Sequence, residues 1–339
     1  MRMNHTFPDE TPNSTTGSRL MRAAVVTGPG EIAIKQVPIP EPGEGQVRVR
    51  VLGCGVCASN LGPWAGPEWM QFPTKPGDLG HEGWGVVDAV GPGVTNVEEG
   101  DPVATLFYNS YAEYDVGPAE SVLKLPASLA DTPFPGEPLA CAMNIFRRSG
   151  IEAGQHVAII GAGFLGALLT RLASLAGAHV IAISRRPYSL EIAHAMGAEH
   201  TVQLNNNYEV FQKVSDITGG RMCERVIEAT GKQGPLDLAG DLTAEYSRLI
   251  IAGYHQDGPR TVNMQQWNWR GLDVINAHER DPAIYMRGLR EAIEAVEKGR
   301  LDITALLTNT YPLEDLAAAL NQTRDRPDGF VKAMVMASR

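Results

Sequence analysis

Two short glycine-flanked stretches carry side chains able to hold a metal ion: Gly55-Val56-Cys57-Ala58-Ser59-Asn60 and Gly80-His81-Glu82-Gly83. A thiolate, an imidazole and a carboxylate are good zinc ligands, and a catalytic zinc keeps a further position for water or substrate. Taken alone, Cys57, His81 and Glu82 are weak signals, because a Cys or His in a β-rich region is more often simply packed. Their setting strengthens them. The first stretch follows a strand pattern, the His-Glu pair sits between glycines, and a nucleotide-binding pattern lies downstream.

That downstream pattern runs from His156 to Arg186. A short apolar run, His156 to Ile160, reads as a strand buried on both faces. Gly161, Gly163 and Gly166 follow in the order G-x-G-x-x-G, with Phe164 and Leu165 between them, and apolar residues then recur at helical spacing through Leu175. A second apolar strand, His179 to Ile183, closes the unit. The first glycine permits a tight turn, the second lets backbone approach a pyrophosphate, and the third lets helix pack on strand. The free N–H groups of the helix N-terminus face the phosphates. The strand before and the strand after supply the context that a lone glycine motif lacks.

About 20 residues past the first glycine, a bare ribose would need an acidic residue. The chain has Ser184, Arg185 and Arg186 there. A hydroxyl and guanidinium groups suit a 2′-phosphate, so NADP is the expected cofactor. A solvated turn accounts for Arg186 equally well.

Elements must position these groups. At 339 residues the chain is long enough for two domains. Residues 1–20 are polar, with no apolar core of a secretory signal, and read as a disordered leader. From Met21 short β-rich runs alternate with Pro and Gly turns, with further strands over Val86 to Val90 and Pro102 to Phe107. After Pro138 strands alternate with helices, notably Tyr208 to Thr218 and Gln233 to Leu242, giving about six strands, the count of a doubly wound sheet. The expected fold is α/β. It combines a β-rich first part with a doubly wound, nucleotide-binding part and an α+β ending.

A net charge of −10 and a pI near 5.3 argue against a nucleic-acid or anionic-membrane surface. No apolar run reaches the roughly 18 residues that span a bilayer. Without a signal peptide the four cysteines, at 54, 57, 141 and 223, are expected as reduced cytoplasmic thiols.

From Met21 onward the chain resembles the medium-chain dehydrogenase/reductase superfamily, in its zinc-dependent alcohol and polyol dehydrogenase branch. The landmarks are G-V-C-A-S, G-H-E-G-W-G-V-V, Y-A-E-Y with L-K-L-P, E-P-L-A-C-A and G-A-G-F-L-G, in family order. The resemblance implies a GroES-like catalytic domain over 21–143 and 282–339 with an NADP-binding Rossmann domain over 144–281 inserted into it. It places Cys57 and His81 on metal ligands, Glu82 on a ligand or exchangeable neighbour, and Glu137 on a further ligand position. Ser59 falls on the hydroxyl that relays the substrate proton, and Cys141 on a position beside the nicotinamide. Thr230 and Gly253, at later strand ends, are placed to line the cofactor, and Trp64, Tyr108, Asn109 and His255 are candidates for the pocket wall. Homodimers or homotetramers are implied.

Two departures stand out. Asn60 replaces the usual Asp that orients the ligand histidine, and a neutral carbonyl raises imidazole basicity less. The four-cysteine structural-zinc lobe is missing, since only Tyr108 to Ser110 separate Phe107 from Y-A-E-Y, so one zinc per subunit is expected. The reaction implied is hydride transfer between NADP and a secondary alcohol such as a polyol, cyclitol or sugar. A metal-free quinone or enoyl reductase and a non-catalytic nucleotide-binding protein are the competing readings.

Overall fold

The computed structural model describes residues 19–337. Of the expected leader, residues 1–18 lie outside the described residues, and Leu20 already belongs to the first strand. β1 (Leu20–Gly28) and β2 (Glu31–Pro38) pair antiparallel. Then come β3 (Gln46–Gly55), the short helix α1 (Leu61–Trp64), β4 (Gly83–Val90), β5 (Pro102–Thr105), β6 (Tyr114–Pro118) and β7 (Val122–Lys124). In β3, Val47, Val49 and Val51 are buried and the arginines between them are half-buried, the period of two that faces one side of a sheet to a core.

α2 (Gly136–Ser149) leads to β8 (His156–Ile160), after which strands and helices alternate. They are α3 (Phe164–Leu175), β9 (His179–Ser184), α4 (Pro187–Ala195), β10 (His200–Gln203), α5 (Asn207–Thr218), β11 (Cys223–Glu228), α6 (Gln233–Leu242), β12 (Thr243–Ile251), α7 (Met264–Arg270) and β13 (Asp273–Asn276). α8 (Pro282–Glu297), β14 (Asn309–Pro312), α9 (Leu316–Asp325) and β15 (Ala333–Met336) complete the described chain.

β8 to β13 form a six-stranded sheet in the order β10-β9-β8-β11-β12-β13, all pairs parallel. Both faces are covered. Ala158 and Ile160 enter one core cluster and Val157 and Ile159 another, which is why β8 is apolar without alternation. The strand order reverses between β8 and β11, so a crevice opens at their carboxyl ends.

The other large sheet runs β14-β15-β3-β4-β5-β7, with β6 also paired to β3. β15 lies antiparallel to β3, with Val335 opposite Cys54, so the end of the described chain returns to the sheet that carries the Cys57 motif. One apolar cluster joins the two sheets through Trp84 and Met334, Leu139 of α2, Phe164 and Leu168 of α3, and Leu289 of α8. This seam sets the metal motif against the glycine loop. Among the described residues no helix is long and apolar enough to cross a membrane.

Candidate active site

Cys57 caps a 3-10 turn directly after β3, and Glu82 immediately precedes β4, so the pairing of β3 with β4 brings the two motifs together. Ligand atoms of Cys57, His81 and Glu82 all lie within 4.8 Å of one another. The imidazole is oriented by backbone. His81 Nδ1 lies 3.0 Å from the Leu79 carbonyl oxygen, a donor role that leaves Nε2 for the cluster. Burial opposes a charge on His81, but its hydrogen bond to Cys57 and the charges of Cys57, Glu137 and Glu82 outweigh it and push its pKa up to about 10. Anionic groups converge here on one small space. Such a space fits a cation.

Glu82 is fully buried, and Lys332, buried just before β15, places Nζ 2.6 Å from both of its carboxylate oxygens. The hydrogen bond goes to Oε1; Oε2 has none among the described residues. A buried acceptor without a hydrogen bond, beside a thiol and an imidazole nitrogen, is a further fit to a zinc ion. Lys332 Nζ also lies 5.0 Å over the Phe164 ring, which ties the metal cluster to the glycine loop.

One expectation needs correcting, and a second expected ligand has partners of its own here. Asn60 does not orient the imidazole. Its side-chain amide donates to the Leu79 carbonyl at 3.0 Å and to the Tyr111 hydroxyl at 2.9 Å, so it fixes the same backbone carbonyl that His81 uses. Glu137 lies outside the tight cluster. Its Oε1 instead accepts from the Tyr285 hydroxyl at 2.8 Å and from the Cys141 thiol at 3.4 Å. The reason is local: a carboxylate in the first turn of α2 finds one donor a helical turn away and another on α8.

The glycine loop has the shape a pyrophosphate needs. Gly161 has φ +104°, and a side chain there would meet Thr230; a Cβ on Gly166 would lie 1.9 Å from the Gly161 carbonyl oxygen; around Gly163 there is open space. Gly163 is also the N-cap of α3, so free N–H groups border that space. Thr230 stands beside Gly161 because Ala229 N–H donates to the Ile160 carbonyl across the β8–β11 switch point. Ser184 ends β9 and is buried, and Arg185 beyond it is exposed.

The chain is similar to known proteins over most of its length. Residues 43–127 match the alcohol dehydrogenase GroES-like domain and residues 165–295 the zinc-binding dehydrogenase domain, together more than half of the chain. The chain belongs to the zinc-dependent medium-chain dehydrogenase/reductase superfamily. A sorbitol dehydrogenase of Gallus gallus is 29% identical over 361 residues, covering 95% of this chain and 97% of that protein. Among solved structures, a candidate zinc-binding dehydrogenase of Sinorhizobium meliloti 1021 bound to NADP superposes with a TM-score of 0.80 at 26% identity, covering 94% and 99%. A cobalt- and zinc-bound thermostable alcohol dehydrogenase of Pyrobaculum aerophilum gives 0.79 at 27% identity, covering 94% and 100%. Membership makes the chain an oxidoreductase of the zinc- and nicotinamide-dependent kind.

Other positions expected to serve a dehydrogenase of this family fall differently. Arg186 is turned away from the strand end, and its Nη1 donates to the Phe330 carbonyl at 2.7 Å. A half-buried guanidinium next to Arg185 and Arg326 has its pKa lowered by burial and by those like charges, and the Phe330 carbonyl supplies the acceptor it needs. Leu165 and the buried Phe164 pack into the seam between the sheets. Trp64 is a core residue, not a pocket wall, because α1 packs it into the cluster around Tyr111. His255 is held between Glu228 at 3.0 Å and Arg260 at 2.8 Å, which takes both ring nitrogens. Tyr108 is 72% exposed with its ring 6.4 Å from His81, so it does border the site, while Asn109 N–H donates to Asp115.

Sequence reasoning missed three residues. Glu228, fully buried at the end of β11, accepts from the N–H groups of Thr230 and Gly231, and its carbonyl accepts from Gly253 N–H, so it shapes both cofactor-side loops. Lys332 had a signal, a charge inside the apolar run GFVKAMVMA. Tyr285 had none beyond its place on the apolar face of α8.

Proposed function

We propose that the chain is a zinc-dependent dehydrogenase that moves a hydride between NADP and a secondary alcohol, of the polyol, cyclitol or sugar class, and its ketone. The observation that carries this is the approach of Cys57, His81 and Glu82 within 4.8 Å. Zinc held by these three would act as a Lewis acid on the alcohol oxygen and make its proton easier to remove. Ser59, on the turn that Cys57 caps, passes that proton outward. Open space at Gly163 and the N-terminus of α3 hold the pyrophosphate, while Thr230 and Gly253 line the nicotinamide half. The buried seam between the sheets limits water where the two carbons exchange the hydride. The sorbitol dehydrogenase relative supports the polyol class.

Cofactor choice rests on Ser184 and Arg185. With no carboxylate for a bare ribose, the exposed Arg185 guanidinium is free to pair with a 2′-phosphate, an interaction worth roughly 1.5–3 kcal/mol. Arg185→Ala is expected to lower kcat/KM with NADP about tenfold or more and to leave NAD nearly unchanged. Equal efficiency of the parent enzyme with both cofactors would count against NADP. Arg186→Ala should affect both cofactors alike, because that side chain holds Phe330. The reading also carries a cytoplasmic homodimer or homotetramer, with one zinc per subunit and no nucleic-acid or membrane partner. A turnover assay over a panel of polyols and cyclitols tests the substrate class.

A further inference from the structure

Glu137, Cys141 and Tyr285 stand in a triangle of close polar contacts beside the metal cluster, in which the hydroxyl and the thiol can each donate to the carboxylate. The Tyr285 hydroxyl is 2.8 Å from Glu137 Oε1 and 2.7 Å from the Cys141 sulfur, and that sulfur is 3.4 Å from the same Oε1. Glu137 Oε2 has no hydrogen bond among the described residues. We propose that Tyr285 is a positioning residue that anchors Glu137 outside the Cys57–His81–Glu82 cluster and so keeps the fourth metal position open for substrate.

The helix packing makes the anchor firm. A Cβ on Gly288 would lie 2.8 Å from the Ala140 carbonyl oxygen and 2.7 Å from Asn144 Oδ1, so α8 can meet α2 this closely only because residue 288 is glycine. Tyr285 is one turn earlier on the same face as Gly288, Leu289 and Ala292, all buried, and so projects onto the first turn of α2 where Glu137 and Cys141 stand. Three residues are therefore arranged by two rigid elements, not by a loop.

Glu137 is near enough to matter. Its charge bears on both His81 and Lys332, yet its oxygens do not join the atoms that lie within 4.8 Å of one another. A carboxylate this close to a zinc with three protein ligands is a ready fourth ligand, and a catalytic site needs that place vacant. Two hydrogen bonds to one carboxylate oxygen, both from groups fixed on helices, oppose the move. The inference rests on the zinc reading of Cys57, His81 and Glu82.

The test loads metal-free protein with cobalt(II), whose visible bands report the ligand set, and titrates imidazole as an exogenous ligand for an open position. Wild type should show cobalt bands that imidazole shifts. Tyr285→Phe, which keeps the ring packed, should change the bands and need about tenfold more imidazole, and KM for the alcohol should rise with it. Tyr285→Phe with Glu137→Gln should restore the wild-type response. If Tyr285→Phe answers imidazole as wild type does, or the double variant behaves like the single one, the proposal is overturned. Wild type with no cobalt bands would overturn the zinc reading and this proposal together, a result distinct from either of those.

Discussion

Lys332 and Glu82 are 250 positions apart in sequence and share one ion pair beneath the candidate metal site. Burial disfavours the Lys332 charge, but the charges of Glu82 and Cys57 more than compensate and raise its pKa. Removing one partner of such a pair leaves the other buried and unpaired, at about 3–5 kcal/mol. Lys332→Met should therefore lower the stability of the metal-free protein by that order, and added zinc should recover part of it by compensating the Glu82 charge. Denaturant midpoints with and without zinc measure both effects. A variant as stable as the parent without metal would show that the Lys332–Glu82 pair does not support the fold.

At the scale of elements, the loop over residues 106–113 is held to β6 by one carboxylate. Asp115 accepts from Asn109 N–H at 3.0 Å and from the Ser110 hydroxyl at 2.9 Å, and burial pushes its pKa up to about 6 from the ordinary 3.8. A folded pKa above the unfolded one means that the native state binds the proton more tightly. Its contribution is full below about pH 4 and is lost as pH rises through about 6, by roughly 3 kcal/mol. Asp115→Asn should thus flatten the stability profile between those pH values, read from unfolding midpoints across the range. An unchanged slope in the variant would assign the pH dependence to other groups.

Much of this architecture could be read from pattern. β8, α3 and β9 follow from an apolar run, a glycine loop and helical spacing, and α6 runs over Gln233–Leu242, where a helix fits between two strand-like runs. β12 starts at Thr243, earlier than its apolar stretch, since the exposed Glu245 and Tyr246 interrupt the buried pattern between Thr243 and Ser247. The strand expected to reach Phe107 stops at Thr105, and Leu106 N–H then donates to the Ser121 carbonyl. The site was legible where local sequence fixes it, at Cys57, His81 and the glycines. Lys332 and Tyr285 were not, because contacts from β15 and α8 depend on how the chain end folds back, which no local spacing encodes. Arg186 and Asn60 have the expected side-chain chemistry but bind backbone carbonyls, a choice set by the nearest acceptor.

For the whole molecule the question is whether the metal supports the fold or only the chemistry. Residues 106–113 connect β5 directly to β6, so the structural-zinc lobe has no place there. Among the described residues, Cys57, His81 and Glu82 are the one group of three or more His, Cys, Asp or Glu side chains with ligand atoms mutually within 4.8 Å. Cys54 and Cys223 are buried thiols whose pKa values are raised chiefly by burial, which suits packing and not ligation. The lobes are joined instead by the apolar seam of Trp84, Leu139, Phe164, Leu168, Leu289 and Met334, which needs no ion. Metal analysis of purified protein should therefore find one zinc per chain, and two tightly held ions would contradict the assignment. Chelation should abolish turnover while far-UV circular dichroism stays near that of the loaded protein, and zinc should restore activity without a refolding step. Loss of secondary structure in step with metal removal would show the ion to be a support of the fold, against a seam that buries its own apolar surface.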